Sequence, residues 1–160
     1  MTRTLVVLGD SLTAGHGDAR RLGWLGRALA RSATQESDFV AVLPVPRETT
    51  TQLASRWEAE TALRWTGAEE RRLLIAPGAW DAAAGVSLAR TRLNLANILD
   101  EALTQRLSVF FVGPAPTLRG DDDAVAPLDR NAYDVFERRG ITNPALNASI
   151  SADDRWVADL

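Results

Sequence analysis

Cysteine is absent from this 160-residue chain, and so is lysine. Without a thiol there is no disulfide framework, no cysteine nucleophile and no cysteine-based metal centre. All 18 basic residues are arginine, a bias that reads as high-GC coding more than as function. Excess positive charge is missing too: against 21 acidic residues the net charge is −3, which argues against nucleic acid or an anionic membrane as partner. Long apolar runs are lacking. The N-terminal one covers only residues 5–8 before Gly9, too short for the core of a signal peptide, and no stretch approaches a membrane span. Cytoplasmic residence is the default expectation. The glycines after Leu12 lack the Gly-Lys-Ser/Thr ending of a phosphate loop, which weakens a nucleotide-binding reading. The acidic run 121–123 lacks the spaced oxygen ligands of a metal loop and reads as a solvated turn, so no metal is expected.

What the chain has is the composition of one globular domain over 1–160: 46% hydrophobic residues suit a single sizeable core, without linker or repeat. Strand-length apolar runs alternate with helical periodicity. That alternation predicts an α/β fold, three-layer α/β/α, around a flavodoxin-like parallel sheet of about five strands. Strands are expected at 5–8, 39–45, 73–76 and 109–112, and helices near 22–32, 50–65, 87–107 and 127–139. Leu88, Leu95, Leu99 and Leu103 share one helical face behind a Ser87 cap, and Arg56 with Glu60 forms an i,i+4 pair. Past Gly140 only a feeble fifth strand and a last turn carrying Trp156 and Leu160 are legible.

The first apolar run stops abruptly at Gly9-Asp10-Ser11, where Asp10 and Ser11 supply turn and helix-cap chemistry. A serine there projects from the carboxyl edge of a parallel sheet, the edge at which open α/β folds bind ligands. Its hydroxyl is placed either for nucleophilic chemistry or simply to cap the first helix. Gly9-Asp10-Ser11-Leu12 after a first strand resembles the opening block of the SGNH, or GDSL-type, ester hydrolases, and later segments fall in the family's order. The resemblance spans most of the chain and implies a cofactor-free ester hydrolase with Ser11 as nucleophile.

The family's later blocks are altered here. In Val45-Pro46-Arg47-Glu48-Thr49-Thr50, Arg47 stands where the family has a glycine whose N–H helps bind the oxyanion. The amide remains, but a side chain restricts any positive φ the loop needs, and the guanidinium is free to face an anion or solvent. In Gly78-Ala79-Trp80-Asp81, Gly78 and Asp81 match while Trp80 replaces the Asn that donates to the oxyanion. Trp80 is expected to pack or line the cleft, and Asp81 to anchor the loop. Asn94 and Asn97 share a helical face, as braces for neighbouring loops or as plain surface. The closing Asp-x-x-His has no counterpart. Either Trp156 replaces the base in Asp153-Asp154-Arg155-Trp156, or the segment from Trp156 to Leu160 is the approach to that block and the chain stops before the base and the closing helix. His16, the single histidine, lies with Asp18 too near Ser11 in sequence to make a triad easily.

Two functions are weighed. One is a hydrolase of small esters or acyl groups, impaired for want of a base. The other is a catalytically inactive pseudo-hydrolase whose Arg47 and Trp80 form a ligand- or protein-binding site. The expected partners are a small ester and, on the face a missing closing helix would leave bare, a second copy or a covering protein.

Overall fold

The computed structural model describes residues 2–32, 37–114 and 125–140. The expectations for the acidic run 121–123, the fifth strand, both registers around Trp156 and the closing helix lie outside the described residues.

Four parallel strands, β1 (Arg3–Gly9), β2 (Phe39–Pro44), β3 (Glu70–Ala76) and β4 (Ser108–Phe111), make a sheet of order β2-β1-β3-β4. Residues 5–8 of β1 carry no polar alternation because both faces of the strand are covered, and all four side chains are buried. Helix α1 (Gly23–Arg31) supplies Leu25 and Ala28 to one face, against Leu5, Val7 and Leu74. The opposite face packs Val6, Leu8, Leu73 and Ile75 against α2 (Thr50–Ala62), α4 (Leu88–Thr104) and α5 (Val125–Glu137) through Leu53, Trp57, Leu99 and Phe136. The result is the expected α/β/α layering, with four strands among the described residues.

Three details differ from the sequence reading. Ser11 caps no helix: residues 11–17 are turns, and α1 begins only at Gly23, within the expected helix 22–32. Asp10 takes the Leu12 N–H onto its own side chain at 3.0 Å, and Gly15, with φ of 74°, breaks the helical path. A short helix, α3 (Trp80–Ala83), follows β3, where the sequence carries only a four-residue motif. Arg56 meets Glu60 at 3.3 Å, yet its firmer partner is the buried Glu48, reached by Nη2 at 2.8 Å and by Nε; Nη2 also donates to the Leu43 carbonyl. This fork ties the end of β2 to α2 and holds the loop between them.

Just past α5, Arg139 grips Asp100 of α4 with two parallel bonds of 2.6 and 2.8 Å, and the hydrogen bonds from Arg139 hold the Asp100 carboxyl below its ordinary value of 3.8. A depressed carboxyl stabilises the fold above its unfolded pKa and loses that contribution as pH falls through its folded one. Asp100 is exposed, so Asp100→Asn should lower stability by under about 1 kcal/mol at neutral pH. In urea titrations the difference between mutant and parent should shrink as pH is taken below 3.8.

Candidate active site

All the candidate residues follow carboxyl ends of strands: Asp10 and Ser11 leave β1, Arg47 follows β2, and Gly78, Trp80 and Asp81 follow β3. Strand order reverses between β1 and β3, so the crevice there lies at a switch point of the sheet. Asp10 and Trp80 bridge it: the Trp80 Nε1 donates to Asp10 Oδ2 at 3.0 Å while Oδ1 receives the Leu12 amide. A Cβ on Gly78 would stand 2.1 Å from that same Oδ2, so only glycine lets the β3 loop approach so closely. The half-buried indole is therefore a polar tether, and its one N–H is spent on Asp10.

Arg47 adopts a φ of 57°, the left-handed conformation the sequence reading took its side chain to hinder. The loop keeps the glycine-like path at a cost of roughly 1–2 kcal/mol, and the guanidinium lies over the Trp80 ring with Cζ 5.8 Å from the centroid. Ser11 is half-buried. Among the described residues nothing hydrogen-bonds its hydroxyl, and neither the Ser11 nor the Arg47 N–H finds a protein acceptor. Beside Gly78 is a small cavity with room for about one water, lined by Pro77, Leu95, Phe111 and Leu128 and by Thr50 and Thr91.

Asp81 points the other way, into the protein. It is 2% exposed, and its carboxylate accepts from the Thr50 N–H at 2.7 Å, from the Thr50 hydroxyl at 2.6 Å and from the Thr91 hydroxyl. Asn94 completes the cluster by donating to Thr50 Oγ1 and Thr51 Oγ1, both at 3.0 Å, while Asn97 on the same helix is exposed. The sequence reading did not foresee Thr50, Thr91 and Glu48 as partners. The signal was the Glu-Thr-Thr run after Arg47, three residues able to take buried polar contacts.

His16 is exposed, and only its backbone N–H meets the serine turn, at the Ser11 carbonyl. Asp18 does not face it. Its oxygens take the Arg20 and Gly23 amides and the Arg27 guanidinium, and the Arg20 amide above all lowers the Asp18 pKa. The structure thus gives His16 no orienting carboxylate in Asp18. Among the described residues no three His, Asp or Glu side chains converge as a metal site would need, and no helix is long and apolar enough to cross a membrane.

A family model described as GDSL-like lipase/acylhydrolase matches residues 7–160. The chain belongs to that family. The structure agrees with the assignment: the fold superposes on the lipase/acylhydrolase from Enterococcus faecalis with a TM-score of 0.74 at 23% identity, covering 95% of this chain and 80% of that one. It superposes equally on TesA, at 0.74 and 19% identity over 97% and 94% of the two chains. The acetylxylan esterase Axe2 from Geobacillus stearothermophilus gives 0.70 at 17% identity over 92% and 78%. No curated protein matches the chain by sequence. Within a GDSL-like framework, the positions that depart from the motif, Arg47 and Trp80, are in contact with each other.

Asp81→Asn should destabilise the fold by roughly 2–3 kcal/mol in urea titrations, since it sets an amide against the Thr50 N–H in a buried cluster. Trp80→Phe keeps the ring but leaves Asp10 Oδ2 without its donor. A loss of about 1–2 kcal/mol is expected by the same measurement.

Proposed function

We propose that this chain is a serine ester hydrolase acting on small esters, with a slow chemical step. What supports the reading best is that the Ser11 hydroxyl and the Ser11 and Arg47 amides, all just past carboxyl ends of strands in a GDSL-like sheet, have no hydrogen-bond partner among the described residues. Ser11 Oγ would attack the ester carbonyl, the C–O bond to the alcohol would break after collapse of the tetrahedral adduct, and water would release the acyl group. The two amides would receive the negative charge that develops on the carbonyl oxygen. Cofactors have no part in this chemistry.

The slowness follows from Trp80, which stands where the resemblance puts an oxyanion donor and has given its N–H to Asp10; a lost donor is worth on the order of 10²–10³ in rate.

Hydrolysis of p-nitrophenyl acetate by the chain and by Ser11→Ala tests the reading. The parent should hydrolyse the ester faster than Ser11→Ala. Equal rates for the two proteins would reject Ser11 catalysis and favour the inactive, ligand-binding alternative.

A further inference from the structure

We propose that Arg47 determines specificity: its guanidinium, stacked on Trp80 beside the Ser11 corner, binds a carboxylate carried by the ester, so that anionic esters are preferred over neutral ones of the same shape. The inference rests on the Ser11 reading above and narrows its substrate class.

Position is the first argument. Cζ of Arg47 lies 5.8 Å from the Trp80 ring centroid, and Trp80 is bonded to Asp10, the residue before Ser11. One indole therefore separates the cation from the corner that carries the hydroxyl. Charge is the second. A guanidinium stays ionised throughout the working pH range, and the carboxylates of the surrounding loops that could neutralise this one are already engaged. Asp10 is occupied by Leu12 and Trp80, Glu48 is gripped by Arg56, and Asp81 is turned inward to Thr50 and Thr91. Among the described residues no carboxylate makes an ion pair with Arg47, and its side chain is exposed.

Geometry is the third. A guanidinium laid on an aromatic face still donates from its edges, in the plane and fork that match a carboxylate. Arg21 and Arg106 also adopt left-handed conformations, so the backbone of Arg47 alone assigns nothing. What sets Arg47 apart is that its guanidinium lies over the Trp80 ring, whose Nε1 is bonded to Asp10. A single cation suits a monoanionic carboxylate better than a phosphate dianion, which draws on several donors.

Two matched pairs of probes test this: 4-acetoxybenzoate against its methyl ester, with the charge in the alcohol part, and mono(4-nitrophenyl) adipate against its methyl ester, with the charge in the acyl part. Each kcat/KM is divided by the rate of hydroxide-catalysed hydrolysis of the same ester. The anionic member of at least one pair should be favoured about tenfold, the preference should weaken severalfold between low and high salt, and Arg47→Gln should bring the ratio close to one whatever happens to the absolute rates. Arg47→Lys should retain part of it. Equal normalised values in both pairs, or a preference that survives Arg47→Gln, would overturn the inference and leave the Ser11 reading standing. Should Ser11-dependent hydrolysis be missing altogether, calorimetry on Ser11→Ala with 4-acetamidobenzoate and its methyl ester decides separately. Tighter binding of the anion that is lost with Arg47→Gln supports the inference; no binding of the anion at millimolar concentration, or equal binding of the two, overturns it.

Discussion

A carboxylate at 2% exposure has to be satisfied from all sides, and Asp81 obtains its donors from parts of the chain far apart in sequence. Thr50 contributes its N–H and its hydroxyl from the start of α2, and Thr91 its hydroxyl from α4. The charge also sits at the positive end of α2, where helix dipole and free amides favour an anion. One side chain thus fixes where α2 begins relative to α4 and to the loop after β3. Because Arg47, Glu48 and Thr49 immediately precede α2, the same anchor limits where the second loop of the cleft can stand. Thr49 adds a capping box with Gln52, and Glu48 a fork with Arg56, so that loop is held at three successive residues.

The other carboxylate, Asp10, governs the cleft itself. It closes the turn that carries Ser11 and reaches across the crevice to Trp80. Trp80 in turn carries Arg47. The two departures from the GDSL-type motif are therefore one altered surface and not separate losses. The tryptophan offers a broad face and spends its N–H on Asp10, and the arginine supplies a cation to lie over that face.

Much of this was legible in the chain. The four strands and the helices packed on them follow from apolar runs and helical spacing, because those patterns record which faces lose water. Asp10, Ser11, Gly78, Trp80 and Arg47 were marked by their places in the motif, and the structure brings them to one edge. What could not be read was the pairing of polar groups over long sequence distances: Trp80 with Asp10, Asp81 with Thr50, Arg56 with Glu48. Such bonds depend on loop geometry that no periodicity encodes. Nor did spacing show that Ser11 would sit in a run of turns; the side-chain bond from Asp10 and the left-handed Gly15 decided that locally.

The register of the sheet has a bearing on synthesis. β1 is an inner strand, yet its partner β3 lies 67 residues further on, with Arg3 opposite Glu70. At roughly 5–20 residues per second a ribosome needs roughly 3–13 s to make that interval. During this time Leu5, Val6, Val7 and Leu8 have α1 and α2 to cover them but only the edge strand β2 to pair with. A nascent chain so built makes its most apolar inner strand early and completes the pairing of that strand late.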